Sequence, residues 1–171
     1  MAVSLYDISK VHSHIGIYGG INIMITESKY PILEFDDNKV AKLNPTSFVD
    51  QSFETDKLII TFFPEVMDKL VDEGKIIHEK TIGGENSVLI YRFLDDDILI
   101  TLGQVGCPAC AGNLDLFNAM GITRVMFCGG GVLDKNIEVG QILVVEGAIR
   151  DEGFSYHYIE PSKYIFTDPE T

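Results

Sequence analysis

ILITLGQVGCPACAGNLDLFNAMGITRVMFCGGG, residues 98–131, decides the fold. Residues 98–102 are an apolar run and read as a buried strand. Residues 103–111 follow as a loop of glycine, proline and small side chains. Residues 112–120 then carry the spacing of an amphipathic helix, which Gly121 stops. Residues 124–128 form a second strand that runs into Gly129, Gly130 and Gly131. Strand, loop, helix, strand is a parallel βαβ unit, and its crossover is expected to be right-handed. Ligands of such sheets bind at the carboxyl ends of strands. Both glycine-rich loops follow strands, so both are expected to open at that edge.

Working outward, residues 142–147 (ILVVEG) read as a third strand. Towards the N-terminus, residues 58–63 (LIITFF) are a short buried strand. Residues 64–73 form a helix: Pro64 suits a first turn, Val66, Met67, Leu70 and Val71 share a face, and Gly74 ends it. Residues 75–80 and 88–93 pair around residues 83–86. Residues 19–26 read as a short strand, 30–37 as an extended piece closed by an acidic turn, and 44–52 as turn.

With 171 residues, 46% hydrophobic and 23% charged, the chain suits one folded domain, 1–171. Its net charge of −13 repels phosphate backbones and anionic lipids, which argues against nucleic-acid and membrane-surface partners. A small anion remains compatible, because local backbone N–H groups override a distant field. No apolar run approaches the ~20 residues of a membrane span. MAVSLYDISK lacks the features of a secretory signal, so a cytoplasmic location is expected. Three cysteines, two of them three apart, make no disulfide framework and fit a reducing compartment.

Three constellations bear chemistry. In the loop containing Gly106, Cys107, Pro108, Ala109 and Cys110, helix-start N–H groups would attract an anion; a tight turn that needs small residues explains the same spacing. Its C-x-x-C is a pair of inert small residues, a thiol–disulfide site or half of a zinc site. Zinc lacks partners, since only Cys128, His12, His14, His78 and His157 remain; no metal is expected. The second loop, Gly129 to Gly131, gives up backbone entropy for a close approach, by a ligand or by a neighbouring strand. The third, AIRDEGFSYHY at 148–158, offers Asp151 and Glu152 for acid–base work. Its plainer reading is a solvated turn in which Arg150 pairs with a carboxylate.

Taken in order, these pieces resemble one family. Residues 98–111 resemble its strand and G-x-P-S loop, and residues 121–133 its next strand and G-[ST]-x-G loop. Residues 136–144 resemble its I-x-V-G-D segment, and 148–158 its AiRdeGtSyhY stretch. The family is that of the purine nucleoside and uridine phosphorylases, with related nucleoside hydrolases. The resemblance implies a three-layer α/β/α fold around a mixed, partly barrel-like sheet, and a homo-oligomer with sites near subunit contacts. It implies a role in nucleoside salvage: phosphate cleaves the N-glycosidic bond of a nucleoside, giving a base and a sugar 1-phosphate. Nucleoside and inorganic phosphate are the implied partners, and no cofactor is needed. Gly106, Pro108 and Ala109 fall on the phosphate/ribose loop, and Gly129 and Gly130 on the second anion loop. Arg150, Glu152 and Gly153 match a motif read as shaping the site; no catalytic residue is assigned.

Departures from the family matter as much. Its hydroxyl residue after the proline is Ala109 here, its arginine before the second loop is Phe127, and its Ser/Thr in that loop is Gly130. A guanidinium–phosphate bond is worth ~1.5–3 kcal/mol, so its loss weakens phosphate binding by roughly tenfold or more. Family members also continue well past the counterpart of Thr171, and the groups that hold base and ribose lie there. The chain is therefore expected to be incomplete relative to the family. Alternatives to phosphorolysis are hydrolysis by a nucleosidase, a non-catalytic remnant or interaction module, and a C-x-x-C thiol oxidoreductase.

Overall fold

The computed structural model describes residues 2–7, 28–36, 41–49, 52–83, 87–131 and 134–167. Seven strands form one mixed sheet: β1 (Ala2–Asp7), β2 (Lys57–Thr61), β3 (Ile76–Ile82), β4 (Val88–Phe93), β5 (Leu99–Leu102), β6 (Arg124–Gly129) and β7 (Leu143–Val144). Their order across the sheet is β3-β4-β5-β2-β6-β1-β7. A separate hairpin pairs β8 (Gly147–Ile149) with β9 (Tyr164–Phe166). The helices are α1 (Pro64–Asp72) and α2 (Cys107–Ala119).

The βαβ reading holds. β5 and β6 both run parallel to β2, which lies between them. β3 and β4 pair antiparallel and extend the sheet past β5. On the other side, β1 is antiparallel to β6 and parallel to β7. Central strands buried on both faces need continuous apolar runs, and β5 buries Leu99, Ile100 and Thr101 in succession.

Side-chain alternation along the strands divides the core in two. Leu58, Ile60, Ile90, Leu99 and Val125 pack with Phe117 and Leu114 of α2. Ile59, Tyr91 and Ile100 pack with Met67 and Leu70 of α1. One helix thus covers each face, which is the expected three-layer α/β/α arrangement. The sheet is mixed, and no closed barrel forms among the described residues. No helix among them is long and apolar enough to cross a membrane.

Three local expectations are corrected. α2 starts at Cys107, not at residue 112, because Pro108 fits a first turn that needs no N–H donor there. Residues 142–147 do not make one strand: Leu143–Val144 joins the large sheet and Gly147 begins the hairpin. Of the piece expected to run extended over 30–37, residues 31–33 do not, since Pro31–Leu33 closes a 3-10 turn with Leu33 N–H donating to Tyr30 O at 2.9 Å. The turn expected at 44–52 is present as a 3-10 helix, Pro45–Phe48, capped by Asn44 Oδ1, which accepts from Thr46 N–H at 3.0 Å. The strand expected at 19–26 lies outside the described residues.

Candidate functional site

The parallel strands β5, β2 and β6 end side by side, and hydrogen bonds hold their exits together. Gly103 N–H donates to Thr61 O at 2.7 Å, and Phe62 N–H donates to Cys128 O at 3.2 Å. Both glycine-rich loops therefore leave from one edge, as the sequence suggests.

At the first loop, Gly106 has φ +111° and is the N-cap of α2. A side chain is strained in that region, so glycine is required. Having no side chain, Gly106 leaves the first-turn N–H groups of Cys107 and Ala109 without a side-chain cap. A small, open cleft lies between the end of β5 and the first turns of α2. Ile60 and Phe117 line its apolar part, and Gln104, Cys110 and Asn113 its polar part.

The second loop is explained in part by packing. A Cβ on Gly130 would come within 3.2 Å of the Phe63 ring, and one on Gly129 within 3.8 Å of Phe62. Phe62 also fills the space beside Gly103, whose Cβ would meet its ring at 2.6 Å. One aromatic side chain thus touches both glycine loops. Phe127 stacks on Phe62 with ring centroids 6.5 Å apart and planes at 14°. Gly131 faces open space.

The third constellation is not a solvated turn. Arg150 is 6% exposed; among the described residues no carboxylate forms a direct ion pair with it, and Glu152 meets it through the shared Ser155 hydroxyl. Its Nε donates to Ser155 Oγ at 2.9 Å, and its Nη1 to Glu160 O at 2.6 Å and Ser162 Oγ at 2.8 Å. Nη2 donates to Ile159 O at 3.1 Å, and the guanidinium lies 4.3 Å from the centre of the Tyr156 ring. Glu152 accepts from the N–H groups of Phe154 (2.7 Å) and Ser155 (2.9 Å) and from the Ser155 hydroxyl. The Ser155 hydroxyl, more than any other contact, holds the Glu152 carboxyl below its ordinary range. Gly153 sits where a Cβ would come within 3.0 Å of Ile32.

These contacts tie residues 150–162 into one knot. Tyr158 fastens it to α2 by donating to Asp115 Oδ2 at 2.8 Å. Asp115 is two residues beyond Asn113, so it points to a different side of α2 from the cleft. The described contacts thus bring Gly103, Gly129 and Gly130 together through Phe62 and Phe63. They join Arg150, Glu152 and Gly153 to the flank of α2 instead. Sequence reading did not single out Phe62 and Phe63; an aromatic pair at the end of a buried strand is the signal that finds them.

Among the described residues no group of three His, Cys, Asp or Glu side chains is placed to hold a metal. His12 and His14 lie outside those residues. Cys107 is exposed, Cys110 half-buried and Cys128 buried, all as free thiols.

The family model described as "Phosphorylase superfamily" matches residues 56–171. A guanosine phosphorylase from Halorubrum lacusprofundi is 33% identical over 90 residues, which cover 52% of this chain and 36% of the relative. The match thus spans little more than a third of that relative's length. No solved structure matches.

Proposed function

The chain belongs to the phosphorylase superfamily, and on that premise we propose that it serves phosphorolysis of a purine nucleoside. The observation that carries this reading is the shared edge: the loops at Gly106 and Gly129 leave β5 and β6, the parallel strands on either side of β2, and Gly103 and Gly129 both flank Phe62. Phosphate is held in this reading by the backbone N–H groups of Gly106, Cys107, Ala109, Gly129 and Gly130. Phosphate is anionic, and the ribose gains positive charge as the glycosidic bond breaks, so a nucleophile held there stabilises the transition state. Neither metal nor organic cofactor is needed; inorganic phosphate is a co-substrate. The knot around Arg150, Glu152 and Gly153 shapes the site without touching the reacting atoms. Guanosine is the first nucleoside to try, by similarity to the relative.

One observation favours a second reading. Where the family resemblance places an arginine, Phe127 packs on Phe62 and supplies no charge for phosphate. Water as nucleophile, a nucleosidase reaction, follows if phosphate binds too weakly.

Self-association belongs to this proposal. Ile149 and Tyr164 face each other across the hairpin, and Phe166 lies two residues on, so the three share one face. All three are exposed, Phe166 at 73%, and an exposed apolar face of this kind marks an interaction surface. A cytoplasmic location, supported by three unpaired thiols, completes the reading.

The test is base release from guanosine, adenosine, inosine and uridine, with and without inorganic phosphate, followed by chromatography of the free base. Release that requires phosphate supports phosphorolysis. Equal release without phosphate replaces it with hydrolysis. No release and no nucleoside-induced thermal shift leaves a non-catalytic module.

A further inference from the structure

The thiols of Cys107 and Cys110 take no part in the reaction proposed above, yet they are arranged for chemistry of their own. Cys107 is the first residue of α2 and exposed, while Cys110 is half-buried behind it and borders the cleft. The turn joining them is formed, since Cys110 N–H donates to Gly106 O at 3.0 Å. With the rise and radius of an α-helix, residues three apart have Cα atoms about 5 Å from each other. That lies within the roughly 4.4–6.8 Å that a disulfide spans. Pro108 between them removes a donor that a first turn does not use. The third cysteine, Cys128, is buried in β6 and is shielded from dissolved reagents.

We propose that Cys107 and Cys110 form a reversible thiol–disulfide pair that exchanges with low-molecular-weight disulfides. Exposure sets the order of events. The Cys107 thiolate attacks one sulfur of the small disulfide, whose S–S bond breaks. A mixed disulfide forms on Cys107, and one small thiolate leaves and takes up a proton. Cys110 then gives its proton to solvent, and its sulfur attacks the Cys107 sulfur. The second small thiol departs as the intramolecular bond closes. Two protein thiols are oxidised to one disulfide, and one small disulfide is reduced to two thiols. Burial, and after it the neighbouring Cys107, push the Cys110 thiol up, which fits the resolving rather than the attacking role. This inference does not depend on which nucleophile cleaves the nucleoside.

The full chain is incubated with oxidised glutathione, quenched in acid, unfolded, alkylated and weighed intact. The expected product has lost two hydrogens, retains no glutathione and offers one alkylatable thiol, at Cys128; dithiothreitol restores all three. Cys110→Ser is expected to stop at one glutathione held on Cys107, and Cys107→Ser to acquire none over the same time. The proposal is overturned if the unsubstituted protein keeps three alkylatable thiols, holds glutathione without closing, or links either cysteine to Cys128.

Discussion

The hydroxyl of Tyr158 donates a 2.8 Å hydrogen bond to Asp115 Oδ2, fastening the segment after β8 to the flank of α2. Burial first, and then the bond to Asp115, raise the ionisation of this phenol, so it stays a neutral donor across the neutral range. Tyr158→Phe keeps the ring against Phe154 and removes only the bond. A loss of about 1 kcal/mol is expected in urea unfolding. Asp115→Asn in the same background should add less than it does alone, and strict additivity would show that the pair is not coupled.

Arg150 holds the same segment from inside. Four hydrogen bonds to carbonyl and hydroxyl oxygens leave from one planar guanidinium. Arg150→Ala strands several of those acceptors, and a destabilisation of about 2–4 kcal/mol follows. Lysine is expected to rescue little, because a single ammonium does not reproduce the fork. Thermal unfolding of the two variants settles it: full rescue by lysine would mean that charge alone matters.

The strands and the first helix were legible because their cause is local. Leu58 to Thr61 and Leu99 to Leu102 are apolar runs between turn residues, and Pro64 and Gly74 bracket α1. The start of α2 was misread because Cys107, Pro108, Ala109 and Cys110 look like loop, although proline is at home in a first turn. Residues 142–147 look like one strand, and only tertiary pairing divides them between two sheets. The burial of Arg150 was hidden for a similar reason: its partners are backbone carbonyls nine and ten residues downstream, which carry no side-chain signal. The glycine loops were located correctly, but the rings that press on them belong to β2's exit, far away in sequence.

Acid should weaken the fold partly through Glu152. Its folded pKa lies below the ordinary 4.5, chiefly through the Ser155 hydroxyl bond. A depressed carboxylate contributes stability that is present above the ordinary value and lost as pH falls through the folded one. Glu152→Gln is therefore expected to lower Tm near neutrality and to flatten the decline of Tm on the acid side of 4.5. Parallel Tm–pH curves for the two proteins would remove Glu152 from the explanation.

Gly103 and Gly131 separate packing from ligand approach. Alanine at Gly103 would place its Cβ 2.6 Å from Phe62 Cε1 and 2.8 Å from Ile60 Cγ2, an overpacking that costs about 1–3 kcal/mol. Phe62→Leu in the same chain should recover part of it. At Gly131 nothing lies within 4 Å, and alanine is expected to leave stability within about 0.5 kcal/mol. If Gly131→Ala nonetheless lowers nucleoside or phosphate affinity, the space it occupies belongs to a ligand.

Ala109→Ser tests the phosphate assignment most directly. Of the departures from the family pattern, Gly130 cannot be reversed cheaply, because a Cβ there meets the Phe63 ring at 3.2 Å. Reversing Phe127 would break its stack on Phe62. Ala109 lies in the first turn of α2, where serine fits and needs no backbone change. A hydroxyl bond to a charged group is worth about 1.5 kcal/mol or more, so the KM for phosphate should fall by roughly tenfold with kcat little altered. That split is the informative part, since a ground-state contact to phosphate changes KM alone. A serine that leaves the phosphate KM unchanged, in a protein whose stability it also leaves unchanged, would move the phosphate away from the start of α2.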